Sequence, residues 1–422
     1  MNFKEILKAR KQKQKQKPGD YARGSDPMPK AKPGRKEHPL QGKLVGESIL
    51  REGARIEHAE DLVFRELPPS KGANRALQSL IDLEGGKHTD VTVKWDGSPA
   101  LIFGRDDNGN FVLTDKSGFG AKGYDGKAKS AKELQQMLMN RPGASNPDPK
   151  KAENYKQFVG NMTDIFDEYE KATPKDYRGF FKGDLLYYNT PQVKDGRYTF
   201  KPNIVEYAVD VNSDIGKQIG QSKTGIVIHR EVSADGVEGP LNNGNIFQGN
   251  EVMVFPPITV LSAPNVDNDK IRKLKEIVSK DSAAMDKLLD INSLTQLKLK
   301  KLPELFYTYM NSKVDTGLDN LGNDFMQWLN SKPNISQAAK SRVAEYLGQH
   351  REGFAALWEV VTGIMKVKDD IINQFDQQEI AVKQNIPGYG DGGEGYVLAH
   401  PEGDIKLVPR EFFTKANRAV ER

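Results

Sequence analysis

The chain has 422 residues, of which 37% are hydrophobic and 28% are charged, and it contains no cysteine. This length is enough for two or three domains with their own cores, and the composition is typical of a globular protein with a polar surface. The lack of cysteine excludes disulfides, thiol catalysis and Cys-based zinc sites. No run approaches the roughly 18 apolar residues of a membrane helix, and the first residues lack the apolar stretch of a signal peptide. We therefore expect a cytoplasmic protein with no membrane partner.

Positive charge is concentrated near the amino-terminal end of the sequence. The net charge is +4, yet residues 1–43 carry 13 Lys and Arg residues against four acidic ones. Residues 9–42 are rich in Lys, Gln, Pro and Gly, and this composition predicts disorder. Such a basic arm either contacts nucleic-acid phosphates or is a solvated tail, and the sequence leaves both interpretations open.

The folded part is predicted to begin near residue 55 and to contain both helices and strands. Residues 73–83 have apolar side chains at helical spacing. Val91 and Val93 begin a strand, and the Asp-Asn-Gly turn within residues 106–110 indicates a β-hairpin. Further helices are predicted at residues 130–140 and 151–171, and further strands at 180–188, 204–211, 225–229 and 251–260.

A long helical stretch follows, at residues 266–380. Its apolar side chains recur at helical spacing and are predicted to form core. Strands return at residues 394–398 and 405–408, so the sequence predicts an α+β fold with antiparallel sheets and flanking helices, interrupted by a helical insertion domain. The predicted segments are a basic arm at 1–43, a first core part at 44–262, the helical insertion at 263–385 and a last core part at 386–422.

The segment Lys94-Trp95-Asp96-Gly97 is the most informative motif. A lysine closes a β-branched strand, and an Asp-Gly turn follows at once, which places an amine at the mouth of a sheet and lets backbone approach a ligand closely. Taken alone, this pattern also fits an ordinary hairpin whose lysine points to solvent.

Three more charged residues lie in or next to predicted strands, in an order that bears on function. Asp184 comes just after a glycine in an apolar strand, and Glu394 precedes a second short strand. Lys406 lies inside an apolar strand, where an unpaired ammonium is costly, so we expect it to face a phosphate or a carboxylate. His229, on another apolar strand, is expected to be a core residue with satisfied hydrogen bonds rather than a ligand.

These motifs, in this order, resemble the covalent nucleotidyltransferase superfamily of DNA ligases, RNA ligases and messenger-RNA capping enzymes. Lys94-Trp95-Asp96-Gly97 resembles motif I, whose lysine attacks the nucleotide α-phosphate. Phe181-Lys182-Gly183-Asp184 resembles motif III, Glu394-Gly395-Tyr396-Val397 resembles motif IV, and Ile405-Lys406-Leu407-Val408 resembles motif V. Lys116 stands where motif Ia falls, and Tyr207 where motif IIIa falls.

Within the superfamily, the chain resembles some classes of enzyme more than others. Ser98 after motif I and an aromatic residue soon after motif V look most like RNA ligases. Only 14 residues follow Val408, so we expect no carboxy-terminal oligonucleotide-binding (OB) barrel of the kind found in DNA ligases and capping enzymes. Motifs III and IV are unusually far apart, which the helical insertion explains. The chain also resembles proteins of tailed phages, and for a phage protein the expected location is the host cytoplasm.

The resemblance implies a role for each matching residue. Lys94 and Lys406 are expected to be catalytic, because a second cation near an amine favours loss of its proton and stabilises charge on the phosphate. Asp184 and Glu394 are hard oxygen donors suited to Mg²⁺ or to the nucleotide. The remaining expected nucleotide-binding residues are Asp96, Gly97, Lys116, Phe181 and Tyr207, and the two aromatic residues are candidates for stacking on the base.

We therefore expect an ATP-dependent polynucleotide ligase that needs Mg²⁺, acts on RNA or on nicked or ended DNA, and is a monomer. Two alternatives remain at this point. One is a related enzyme that stops at nucleotide transfer, as in capping or protein modification. The other is a nucleic-acid-binding or assembly protein that keeps the fold without catalysis. The sequence does not specify a partner for the helical insertion.

Overall fold

The structure is a computed structural model that describes residues 56–119 and 127–420; the predicted arm at 1–43 lies outside these residues. Its strands are β1 (Glu57–His58), β2 (Val91–Val93), β3 (Ala100–Arg105), β4 (Phe111–Asp115), β5 (Gly179–Tyr187), β6 (Gln192–Lys194), β7 (Arg197–Phe200), β8 (Glu206–Asp210), β9 (Thr224–Val232), β10 (Glu238–Gly239), β11 (Val252–Val254), β12 (Val382–Ile386), β13 (Gly390–Asp391), β14 (Tyr396–Leu398) and β15 (Ile405–Leu407).

In the part of the chain that the structure describes, the strands divide the helices into five groups. They are α1 (Leu62–Arg65), α2 (Pro69–Glu84), α3 (Lys116–Phe119), α4 (Ala131–Met139), α5 (Pro149–Asp164), α6 (Phe166–Ala172), α7 (Asp214–Gln221), α8 (Asn268–Leu288), α9 (Ile291–Gln296), α10 (Leu302–Ser312), α11 (Phe325–Asn330), α12 (Gln337–Gln349), α13 (Arg351–Asp376) and α14 (Arg410–Val420). None of the helices within residues 56–119 and 127–420 combines the length and apolar character needed to cross a bilayer.

The strands form three mainly antiparallel sheets. One sheet has the order β1-β15-β14-β2, with β1 parallel to β15. The second has the order β10-β9-β5-β3-β4, and β11 adds to β9 in parallel. The third has the order β13-β12-β8-β7-β6. The predicted α+β class is confirmed, and the described residues contain no closed barrel.

The predicted hairpin pairs β3 with β4 as expected. Several other elements differ from the prediction. The strand predicted at 251–260 is reduced to Val252–Val254, because Pro256 and Pro257 follow and proline cannot donate a ladder hydrogen bond. Residues 382–386, placed in the helical insertion by the sequence, form β12 and pair with β8. Helix α14 was not predicted.

The helical stretch shares a core with the sheets. One continuous cluster of buried side chains joins residues of α8 and α13, such as Leu274 and Leu357, to Val91 of β2 and Leu407 of β15. A second cluster, which includes Phe103, lies on one face of the six-stranded sheet. The segment expected as an insertion domain at 263–385 therefore packs as part of the main body, and its helices end at Asp376.

A buried ion cluster joins the helical stretch to the four-stranded sheet. Glu60 accepts hydrogen bonds from Lys368 Nζ of α13, at 2.9 and 3.0 Å, and from Arg410 Nε of α14, at 2.8 Å. Arg410 also donates to Asp61 at 2.6 Å and to Asn311 at 2.6 Å. Burial alone would raise the pKa of Glu60, but the two adjacent cations hold that pKa well below its ordinary value.

We expect Lys368→Ala to lower the free energy of unfolding by about 3–5 kcal/mol, because it leaves the buried Glu60 carboxylate without one of its two cations. Lys366→Ala is the matched control. Lys366 is 53% exposed and pairs with exposed Asp319, so its loss is expected to cost no more than about 1 kcal/mol. Urea unfolding of both variants tests this, and similar losses in the two would contradict the role assigned to the cluster.

Candidate active site

Lys94 lies where three segments that are distant in sequence meet. The N–H of Lys94 donates to the carbonyl of Gly395 at 2.9 Å, and the N–H of Val93 donates to Ile258 at 2.8 Å. Because β2 also pairs with β14, the backbone that leads to the lysine is held by sheet hydrogen bonds. The amine therefore extends from a fixed point at the end of a strand.

The side chain of Lys94 forms an ion pair with Glu394, which is 300 residues later in the sequence. Both side chains are mostly buried, with 20% of Lys94 and 14% of Glu394 exposed. Burial raises the pKa of Glu394, and the Lys94 ammonium acts in the opposite direction. Two of the predicted motifs thus meet through their charged groups.

Gly395 makes this meeting possible. Its φ is +110°, a conformation that other residues rarely adopt, and a Cβ there would lie 2.3 Å from the carbonyl oxygen of Leu407. The chain can therefore turn tightly against β15 between Glu394 and β14.

Asp96 and Gly97 form the turn that follows the lysine. The N–H of Asp96 donates to the Tyr207 hydroxyl at 2.6 Å, and Asp96 Oδ1 accepts from Asn203 at 3.1 Å. Burial raises the pKa of Asp96, and the hydrogen bond from Asn203 and the charge of Lys94 oppose that effect. Within the described part of the chain, the buried Oδ2 of Asp96 has no hydrogen-bond partner. Gly97 packs against β5, where an added Cβ would lie 2.7 Å from Cβ of Asp184.

Asp184 and His229 form a side-chain contact at the edge of the site. Asp184 Oδ2 lies 3.1 Å from His229 Nε2, and 41% of the His229 side chain is exposed. The interpretation of His229 as a core residue is wrong. The pairing of β5 with β9 shifts between Lys182 and Gly183 and passes over His229, so the histidine is the extra residue of a β-bulge. A bulge re-aims side chains, and a simple alternation pattern does not reveal it.

Lys406 is the central residue of β15, beside Val397 of β14 and His58 of β1. Lys406, Lys94 and Asp184 all line one cleft of about 880 Å³. The same cleft is lined by Lys182, His229, Arg230 and Glu238, none of which was predicted from the sequence as a site residue. The structure thus brings together Lys94, Asp96, Gly97, Asp184, Glu394 and Lys406.

Three expected nucleotide-binding residues are placed elsewhere. Phe181 is fully buried in the second core and stacks on Tyr177 at 4.7 Å, so its ring has no face left for a base. Tyr207 is fully buried between Trp95 and Phe200, and its hydroxyl accepts from Asp96, so it supports the turn. Lys116 is exposed at the start of α3 and does not line the cleft.

The carboxylates fit Mg²⁺ in part. Among the described residues, no three His, Asp or Glu side chains converge as a metal cage. Mg²⁺ commonly binds through one or two carboxylates together with substrate phosphates, so a full protein cage is not required. Asp184, which faces the cleft, suits such a site, whereas Glu394 is already engaged by Lys94.

Gly97→Ala is expected to lower the free energy of unfolding by about 1–3 kcal/mol, because the new methyl group would overlap Asp184 and the Leu185 carbonyl. Gly160→Ala is the control, since a Cβ at that position of α5 meets nothing within 4 Å. The control is expected to be neutral or stabilising by up to about 1 kcal/mol. Thermal unfolding of the two variants distinguishes them; equal stabilities would contradict the close packing at Gly97.

Asp96→Asn is expected to change the pH dependence of stability. Since the pKa of Asp96 is raised in the folded state, its contribution to stability is full below its ordinary pKa and is lost as pH rises through the raised value. Asparagine does not ionise, so the stability of the variant relative to the parent should rise from about pH 4 to pH 7. Asp107→Asn, at an exposed turn, is the charge-matched control, and urea unfolding across this range is the measurement. A constant difference for Asp96→Asn would contradict the prediction.

The sequence matches a family described as a family of unknown function (DUF6267) over residues 54–134 and 148–422. No curated protein and no solved structure matches the chain. The matched ranges include Lys94, Asp184, Glu394 and Lys406, and they cover well over half of the sequence. The chain therefore belongs to the DUF6267 family.

Proposed function

We propose that this protein is an ATP-dependent polynucleotide ligase with a ligase-type nucleotidyltransferase core, and that Lys94 is its nucleophile. One observation carries the proposal. Lys94 and Glu394, from motifs 300 residues apart, form an ion pair beside a cleft that Asp184 and Lys406 also line. An ordinary hairpin with a solvent-facing lysine would not need a buried partner from the other end of the chain.

The first step forms a bond between Lys94 Nζ and the α-phosphorus of ATP and breaks the bond to the departing pyrophosphate. The lysine must lose a proton before it attacks. Glu394 contacts the ammonium, and burial raises the pKa of Glu394, so this carboxylate is suited to accept the proton. Lys406 supplies positive charge on the same cleft, where negative charge develops on the phosphate.

Two further steps complete end joining. A 5′-phosphate oxygen attacks the phosphorus of the lysyl-AMP, which breaks the P–N bond and returns the lysine. A 3′-hydroxyl then attacks the activated 5′-phosphate, a phosphodiester forms, and AMP leaves with the bonding electron pair. Mg²⁺ bound with the nucleotide would supply Lewis-acid stabilisation of the phosphates, and Asp184 is the residue placed to help hold it.

The protein is expected to become labelled when it is incubated with α-³²P-ATP and Mg²⁺ and then denatured. Lys94→Ala and Lys94→Arg should both abolish the label, since a guanidinium does not lose its proton near neutral pH. Lys217→Ala, which removes an exposed lysine of α7, should be labelled like the parent. Circular dichroism spectra are the check that all variants are folded.

The outcomes separate the alternatives. Label that persists in either folded Lys94 variant contradicts the proposed nucleophile. Labelled parent protein that fails to join 5′-phosphorylated RNA or nicked DNA indicates an enzyme that stops at nucleotide transfer. A parent protein that takes no label from ATP or GTP, yet binds nucleic acid, indicates a binding protein of the same fold.

A further inference from the structure

A second cationic cluster lies on the wall of the cleft formed by the six-stranded sheet. Lys182 of β5 and Arg230 of β9 are directly opposite each other in the antiparallel register, so their side chains share one face of the sheet. Both line the cleft. The β-bulge at His229 lies immediately before Arg230 and offsets the alternation of β9 at this point.

Arg230 has no electrostatic partner in the described part of the chain. It is partly buried, and its guanidinium makes no ion pair or hydrogen bond with any residue within 56–119 and 127–420. A guanidinium offers several donors in a fork that matches phosphate oxygens, and removing it from water without a counter-ion is costly. An anion in the cleft would satisfy these donors.

Lys182 has an internal counter-ion, which comes from strand β10. Its ammonium forms an ion pair with Glu238, and 19% of the Lys182 side chain and 30% of the Glu238 side chain are exposed. Glu238 belongs to β10, which pairs with β9. A tight turn joins the two strands, and in it the N–H of Ser233 donates to the carbonyl of Val237 at 3.0 Å. The connection after β10 is held by Glu231, which accepts from the N–H groups of Asn242 and Asn243.

Within the described residues, no carboxylate pairs with Arg230, whereas Lys182 and His229 pair with Glu238 and Asp184. Two cations, Lys182 and Arg230, face each other across the strands, and the Glu238 carboxylate pairs with Lys182 alone among the contacts of residues 56–119 and 127–420. Direct cross-strand pairs of like charge are destabilising unless an anion separates them. The two cations are suited to bind an anion, and the Glu238 carboxylate already occupies part of that site.

We propose that Lys182 and Arg230 form a second phosphate-binding site in the cleft, and that Glu238 occupies part of it until a phosphorylated ligand displaces the carboxylate. Arginine and lysine together bind phosphate through charge-assisted hydrogen bonds. The ligand is a phosphate group, carried either on a polynucleotide strand or on a pyrophosphate unit. The site deepens the proposed function by naming where a second phosphate binds, but its existence does not require that Lys94 reacts.

The test uses the full chain and two probes, a fluorescent 5′-phosphorylated single-stranded oligonucleotide measured by anisotropy and inorganic pyrophosphate measured by calorimetry. Arg230→Ala should weaken binding of at least one probe by about tenfold or more, because a charged hydrogen-bond donor is lost. Glu238→Gln should strengthen binding of the same probe by several-fold, because the internal competitor is neutralised. If Arg230→Ala lowers the affinity for a probe and Glu238→Gln raises it, the phosphate displaces the Glu238 carboxylate when it binds.

Controls remove the same charges elsewhere on the protein. Lys217→Ala and Asp214→Asn alter an exposed pair on α7 and should leave both probes within about twofold of the parent. Urea unfolding shows whether each variant is folded. A change confined to the oligonucleotide places a strand phosphate at the site, and a change confined to pyrophosphate places a nucleotide-type phosphate there.

The proposal is overturned if folded Arg230→Ala binds both probes like Lys217→Ala, or if Glu238→Gln weakens binding. These results are independent of Lys94 labelling. Loss of binding in Arg230→Ala together with an unlabelled parent protein would reject the ligase and keep the phosphate site. Normal labelling of the parent, with no effect of Arg230→Ala on binding, would reject the phosphate site and keep the ligase proposal.

Discussion

Strand β14 pairs with β2 on one side and with β15 on the other, and this pairing holds the candidate active site together. It places Glu394 beside Lys94 and puts Lys406 one strand further along the same sheet. The positive φ of Gly395 allows the close approach to Leu407 that the arrangement requires. If β14 were displaced, the charged groups of Lys94, Glu394 and Lys406 would no longer be held close together.

The helical stretch stabilises this sheet through buried charge as well as apolar contacts. Lys368 of α13 and Arg410 of α14 meet at Glu60, which lies two residues after β1, and β1 is the edge strand beside β15. Tyr396 of β14 also donates to Asp376 at the end of α13, at 2.8 Å. The helices are therefore expected to matter for the geometry around Lys406, even though their side chains are not among those that line the cleft.

The sequence predicts site residues well where they lie at strand ends or in tight turns. It predicts them less well where the position of a side chain depends on how two strands pair. Lys94, Asp184, Glu394 and Lys406 follow from short apolar strands interrupted by charge. Phe181 was a poor candidate in retrospect: it is three residues from Asp184, and side chains an odd number of positions apart on a strand point to opposite faces. His229 lies at a bulge, and Arg230 lies opposite Lys182 on the neighbouring strand; local sequence encodes neither relation.

The central claim is that Lys94 becomes covalently attached to a nucleotide. Its most direct test is tandem mass spectrometry of the unaltered protein after incubation with ATP and Mg²⁺, with digestion at alkaline pH because a P–N bond is labile to acid. The account predicts one AMP group on the Nζ of Lys94, in the peptide that contains Trp95 and Asp96. An AMP group on a different residue, or no adduct with either ATP or GTP, would contradict it.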